Sequence, residues 1–386
     1  MKGQKKNILF VSHDANRAGA QLFLLNIMKD FKAKGFGIQL ICLNKWGPLL
    51  PDFEAVCEVL ETPNNSSKKE AVLSRIFKSG GLKQFIKKNY SQRGIDFIYS
   101  NTIATASSAI QIKEALSVPL IAHIHELSFS LSLYASKTDK DNFLKSADGI
   151  IACSQAVKDN LINDDPTLSD KTEVIHSFID NERVLKLHQV SDIKAIKKEF
   201  DLPEGTLLAG ACGNAEWRKG LDVFINLANT MSQKTLSKPL HFVWIGLKPE
   251  GQYYEQIMYD VVKMNIEDMI SFIAPTPKAV EIINALDFFI VSSREDPFPL
   301  VMLEAALCKK PILGFKNTGG CSEFVKDEAG ILSNYLDTEG MSENLITLSR
   351  DETLRNQKGL NGHNSILNTY NFEHSVQKLE AYMDKF

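Results

Sequence analysis

Twelve short runs rich in β-branched, aromatic and aliphatic residues are predominantly apolar and show no regular alternation with polar ones. They are NILFVSH, GIQLICL, DFIYS, PLIAHIH, GIIACS and TEVIHS, then TLLAGACG, HFVWIG, ISFIA, DFFIVSS, PILGF and GILS. A strand without a polar face must be covered on both sides, which is the condition of a parallel sheet between two layers of helices. Helical patterns separate the runs, among them Gly19–Lys34, Lys69–Lys88, Thr102–Leu116, Gly220–Met231 and Pro299–Cys308. The chain therefore reads as α/β with doubly wound sheets. The pattern occurs twice, six runs on each side of the charged segment NERVLKLHQVSDIKAIKKEFDLPEG, which reads as a linker plus one helix. Two Rossmann-like domains suit 386 residues at roughly 150 per domain.

Composition excludes several classes. Lys and Arg number 44 against 47 Asp and Glu, a net charge of −3, which argues against a nucleic-acid binder. No apolar run approaches the ~18 residues of a membrane span. The N-terminal apolar stretch ends within a few residues at His13 and Asp14, as a first strand does and a signal peptide does not. Six cysteines form no C-x-x-C pair, so neither a disulfide framework nor a zinc site is expected, and a reducing cytoplasm is the simplest compartment.

Five polar segments follow strand-like runs, where ligands of such sheets bind. In SREDPFPLVMLE, Asp296 and Glu304 bracket the start of a helix opened by Pro299. A helix start favours an anion, and carboxylates beside it accept from hydroxyls, so the composite suits a ligand with an anionic centre and polyol ends, such as a nucleotide sugar. The alternative is that Asp296 caps the helix and Glu304 lies exposed on it. In GNAEWRKG, a Gly turn leads to the adjacent cations Arg218 and Lys219. The segment from His13 to Gln21 places Gly19 at a strand-to-helix turn but is not G-x-G-x-x-G. His123-Ile-His125-Glu126 reads as a cleft-lining or hydrogen-bonded pair in preference to a metal site. Asn317-Thr-Gly-Gly-Cys-Ser-Glu323, with Thr318 and Gly319, is a Gly-rich loop opening a helix.

In this order the segments resemble the GT-B-fold glycosyltransferases of retaining family 4, over nearly the whole chain. Asp296 to Glu304 looks like that family's E-x7-E motif, with Asp in the first place. GNAEWRKG is similar to its G-R-x-x-x-x-K-G loop, VIHSFID to its V-I-P-N-G-V-D string, and NTYNFEHSVQKLEAYM to its last helix. The resemblance implies an N-terminal acceptor domain (1–182), a C-terminal donor domain (183–368) facing it across a cleft, and a helix (369–386) that crosses back. It implies that Lys219 neutralises the donor pyrophosphate, that Glu304 accepts from ribose hydroxyls, and that Asp296, with Glu295 beside it, holds sugar hydroxyls. The N–H groups of Phe298, Pro299's successor Leu300, and Val301 would face phosphate and sugar. His125 would lie near the transferred sugar, Gly19 near the diphosphate, and Thr318 and Gly319 would add contacts. Asn214 stands where the family has its phosphate-binding Arg, and Arg218 is the neighbouring cation that could replace it.

The expected activity is retaining, metal-independent sugar transfer from a UDP- or GDP-linked donor, without cofactor, to a glycan or lipid-linked acceptor in cell-surface polysaccharide synthesis. The alternatives are a GT-B sugar-nucleotide 2-epimerase and a non-catalytic homologue, the latter on the strength of Asn214. Residues 66–93 carry eight Lys or Arg against Glu70 alone, with Val72, Ile76, Leu82, Phe85 and Ile86 interleaved. They read as a solvated helix face or as a basic patch on anionic lipid at the inner face of the plasma membrane. The membrane reading predicts flotation with anionic vesicles at low salt; failure to float removes it.

Overall fold

The computed structural model describes residues 5–62 and 81–386. The chain divides into two α/β units, Met1–Ser177 with Val376–Phe386, and Phe178–Ser375. In the first, the described strands are β1 (Asn7–Ser12), β2 (Gly37–Cys42), β3 (Val59–Glu61), β4 (Phe97–Asn101), β5 (Leu120–Ile124), β6 (Gly149–Ala152) and β7 (Thr172–Val174). They lie in the order β3-β2-β1-β4-β5-β6-β7. In the second, β8 (Leu207–Cys212), β9 (Leu240–Ile245), β10 (Ile270–Ile273), β11 (Phe288–Val291), β12 (Ile312–Phe315) and β13 (Gly330–Ser333) lie in the order β10-β9-β8-β11-β12-β13. The pairings are parallel throughout. The central strands are buried along their length, as end-to-end apolar runs require: β4, β5, β6, β11 and β12 have no exposed residue.

In each sheet the strand order reverses once, between β1 and β4 and between β8 and β11. The loops leaving the carboxyl ends of these pairs diverge to opposite faces and open a crevice. The second unit's core fixes one such pair. The helix Leu221–Ser232 lays Phe224 edge-on against Phe242 and Trp244 of β9, with ring centroids 5.4 Å apart in both cases.

Two expectations change. β3 went unrecognised because a three-residue edge strand is too short to show a pattern. The segment after Asp180 is two helices and not a linker with one, Asn181–Val190 and Ile193–Lys198. Each is capped by an aspartate, Asp180 accepting from Arg183 N–H and Asp192 from Ala195 N–H. The first packs on the helices Ala279–Ala285 and Leu300–Leu307, so it belongs to the second unit's body. Of the helix expected over 69–88 and the basic stretch 66–93, residues 66–80 lie outside the described residues. The described remainder contains the helix Gly81–Tyr90, where Lys83 pairs with Glu114, and beyond it Arg93 pairs with Glu58 at 3.0 Å and covers the Tyr90 ring.

The helix Phe372–Met383 carries the chain from the second unit to the first. Val376, Leu379, Tyr382 and Met383 are buried there. The Tyr382 hydroxyl donates to the carbonyl of Lys171 at 2.8 Å, with that of Ile150 also in reach at 3.2 Å, and it lies where a side chain on Gly149 would be. Lys34–Glu380 and Lys385–Glu173 ion pairs flank the contact at 2.5 and 2.8 Å. Tyr382→Ala opens a cavity and removes the hydroxyl that these carbonyls share, so it should destabilise the first unit by about 3–5 kcal/mol. A melting temperature within a degree of wild type contradicts this docking.

Candidate functional site

The loop after β8 turns through Gly213 into a short 3₁₀ turn, Trp217–Lys219, and enters the helix Leu221–Ser232 through Gly220. Gly220 has φ +70°, and a Cβ there would stand 2.1 Å from the carbonyl oxygen of Ser292. Only glycine lets this loop lie against the one after β11. Further bonds join the two. Ser292 Oγ donates to Lys219 O at 3.1 Å, and Arg294 N–H to Arg218 O at 2.8 Å. Arg294 forks onto both oxygens of Asp222 at 2.8 and 2.6 Å and lies over the Trp217 ring. The loop after β12 joins next. Asp296 N–H donates to Thr318 O at 2.7 Å, and Gly320 N–H donates to Asp296 O at 3.1 Å. Asp296 and Gly319 form a parallel bridge.

Asp296 is 5% exposed, and two cations converge on it. Lys219 Nζ is 2.5 Å from Oδ2, and Arg218 Nη1 is 3.9 Å from Oδ1. Arg218 also donates to Glu295 O at 3.0 Å and to Glu216 at 2.9 Å. The helix Leu300–Leu307 follows, with Pro299 as its cap residue. Its first N–H groups, Leu300 and Val301, precede the first internal bond, which Met302 makes to Pro299 O. The cations, the carboxylate and this helix start thus share one end of the β8–β11 pair.

Glu304 lies one turn into that helix, with its side chain 17% exposed. Burial pushes its carboxyl up to about 7, against the opposing pull of Arg183, whose Nη2 is 3.3 Å from Oε1. Glu304 is thus partly buried rather than displayed on an open helix face. Burial also pushes the thiols of Cys212, Cys308 and Cys321 up to about 12, so they remain protonated. The cysteines are free, as the sequence predicts.

In the first unit the reversal point gathers a second polar cluster. Gln21 donates to Asp14 Oδ1 at 2.6 Å and meets His13 Nε2 at 3.1 Å, which binds the loop after β1 to the helix Gly19–Ala33. Gly19 is exposed at the start of that helix. His123 is fully buried, bonded through Nδ1 to the Tyr99 hydroxyl and stacked on His125 at 4.0 Å. His125 is half-buried, and desolvation pushes it down to about 3, so it is neutral at pH 7. Asn101 donates through Nδ2 to Ala20 O at 3.0 Å, which leaves its Oδ1 to face His125 Nε2, also at 3.0 Å. Nε2 must therefore carry the proton, and Nδ1 is the acceptor.

Some expected site residues take other places. The Thr318 hydroxyl is buried and donates to Phe315 O at 3.0 Å, so Thr318 supports the site through its carbonyl alone. The Phe298 ring is buried against Tyr370 at 5.6 Å, which leaves only its backbone for a ligand. Asn214 is exposed on its loop. No group of three or more His, Cys, Asp or Glu that could hold a metal ion occurs among the described residues. No described helix is long and apolar enough to cross a membrane. Sequence reasoning missed Arg183 and Asn101. Asn101 had a signal, a polar residue ending an apolar strand; Arg183 had none beyond its place after the capping Asp180.

The Glu304 environment predicts a stability profile. The folded chain holds that proton more tightly than the unfolded one between about pH 4.5 and 7, so stability falls as pH rises through this window. The loss is about 3 kcal/mol at most. Glu304→Gln should match wild type near pH 4.5 and melt a few degrees higher at pH 8. Equal melting temperatures at pH 8 contradict the buried carboxyl.

Comparison with known proteins places the chain in a family. The family model for group 1 glycosyl transferases matches residues 192–365, and that for glycosyltransferase family 4 matches residues 17–183. N-acetyl-alpha-D-glucosaminyl L-malate synthase of Bacillus anthracis is 25% identical over 230 residues, 58% of each chain. The O-antigen biosynthesis glycosyltransferase WclY of Escherichia coli is 25% identical over 318 residues, 79% of each chain. Among solved structures, Anabaena HepE in complex with UDP and glucose shares the fold with a TM-score of 0.81 at 19% identity, covering 99% of this chain and 100% of that one. WaaG, a glycosyltransferase involved in lipopolysaccharide biosynthesis, does so at 0.73 and 14%, covering 97% and 99%. With both units matched in order, the chain belongs to the group 1, family 4 glycosyltransferases of the GT-B fold.

Proposed function

We propose that the protein transfers a sugar from a UDP- or GDP-linked donor to a glycan or lipid-linked acceptor in cell-surface polysaccharide synthesis, with retention of anomeric configuration. The observation that carries this reading is the convergence of Lys219 and Arg218 on one carboxylate beside a helix start. Two cations set to grip both oxygens of a carboxylate can also grip a diphosphate, and Arg218 supplies the charge that Asn214 lacks. Relatives support the pathway: WclY is named for O-antigen biosynthesis, and CapM of Staphylococcus aureus, 22% identical over 240 residues, for capsular polysaccharide. HepE is described with UDP and with UDP-glucose.

In this reading the bond from the anomeric carbon to the diphosphate oxygen breaks, and the acceptor hydroxyl bonds to the same face. Its proton passes to the departing diphosphate oxygen. The main task is to stabilise the leaving charge, an electrostatic one that Lys219, Arg218 and the N–H groups of Leu300 and Val301 perform without a metal. Asp296 and Glu295 take sugar hydroxyls, Glu304 takes the ribose, and neutral His125 accepts a sugar hydroxyl through Nδ1. The protein acts in the cytoplasm, with the basic stretch 66–93 on anionic lipid.

Lys219→Ala and Glu304→Ala should each lower kcat/KM at least about 30-fold, roughly 2 kcal/mol of transition-state stabilisation. The product anomer, read by NMR, should match the donor. Unchanged turnover in both variants, or an inverted product, overturns the reading.

A further inference from the structure

The helix Asn181–Val190 opens beside the donor-type site, and its cap sets the backbone from which Arg183 projects. Asp180 accepts from Arg183 N–H at 2.9 Å. The guanidinium then donates from Nη2 to Glu304 Oε1 at 3.3 Å, bridging this helix to Leu300–Leu307, on which it packs. Oε2 of Glu304 has no hydrogen-bond partner among the described residues. The other titratable groups facing Glu304 are Cys212 at the end of β8 and Cys308 just past its own helix. Both stay protonated, so Arg183 is the charge that opposes burial of the carboxylate among the described residues.

We propose that Arg183 is a positioning residue for the donor's ribose: it grips Oε1, orients the Glu304 carboxyl, and leaves Oε2 to accept a ribose hydroxyl. This rests on the reading of Glu304 as the ribose acceptor. Burial pushes this carboxyl up to about 7 even against the pull of Arg183, and a neutral carboxyl accepts a weaker hydrogen bond than a charged one. Ribose recognition therefore strengthens as pH rises through this range in the wild-type protein, and removal of Arg183 moves that rise to higher pH.

The test is calorimetric binding of UDP and GDP, each against its 2′-deoxy form, to the full chain at pH 6.5, 7.5 and 8.5. At pH 8.5 wild type should prefer the better-bound ribonucleotide over its deoxy form by about tenfold, the value of one charge-assisted hydrogen bond, keep most of that preference at pH 7.5 and less of it at pH 6.5. Arg183→Gln should lose most of the preference at pH 7.5 and regain it only toward pH 8.5, with affinity for the deoxy form unchanged. Arg183→Lys should follow the wild-type profile. Glu304→Gln should lose the preference at every pH. If Arg183→Gln follows the wild-type profile while Glu304→Gln loses the preference, this inference fails and the role of Glu304 stands. If Arg183→Gln weakens both forms equally at all pH values, its role is structural and the inference also fails. If Glu304→Gln keeps the preference, or wild type binds none of the four nucleotides, the reading of Glu304 and this inference fall together.

Discussion

The Asp296 carboxylate, buried between Lys219 and Arg218, ties together the loops that leave β8 and β11. Around it the backbone closes a continuous ring. Gly220 permits the contact with Ser292, Thr318 holds the Asp296 N–H, and Gly320 returns to the Asp296 carbonyl. The charges are therefore set by the sheet's topology and not by mobile side chains. Strand order reverses between β8 and β11, so their loops part there, and the helix Leu300–Leu307 presents its N-terminus to the same spot. A buried ion pair of this kind adds little to stability, because desolvation offsets most of the attraction. In the proposed function it serves to hold two cations at fixed positions before a ligand arrives.

Glu304 shows the same priority. A carboxylate placed where burial raises its proton affinity weakens the fold at neutral pH, and a neutral side chain would remove that penalty. Proteins keep such groups where function requires them. The first unit holds a stacked histidine pair, and Asn101 sets the tautomer of His125. The second unit holds fixed charges, and the first holds a neutral hydrogen-bond acceptor.

Most of this architecture was legible in the sequence, for a definite reason. Parallel strands covered on both faces leave uninterrupted apolar runs, and the polar residues that end those runs lie at the ligand-binding edge. Lys219, Asp296 and Glu304 were singled out as candidates that way, and so was His125. What was missed depends on contacts between distant parts of the chain. Arg183 and Glu304 are separated by 121 positions, and no local pattern predicts their pairing. The helices after Asp180 looked like a linker because their charged faces dominate the composition, although Asp180 and Asp192 were readable caps. β3 is too short to show a period, and the inward turn of the Thr318 hydroxyl is decided by the loop's own backbone.

The central claim is that the β8–β11 edge binds the diphosphate of a nucleotide sugar through Lys219 and Arg218. Thermal shift with UDP, GDP, ADP, CMP and their sugar conjugates, in metal-free buffer, tests it most directly. A bound ligand at 100 times its dissociation constant adds about 2.7 kcal/mol, which is visible as a raised melting temperature. One diphosphate and its sugar conjugate should stabilise the wild-type protein and leave Lys219→Ala unmoved. No shift with any of them, or an equal shift in the variant, would contradict the claim.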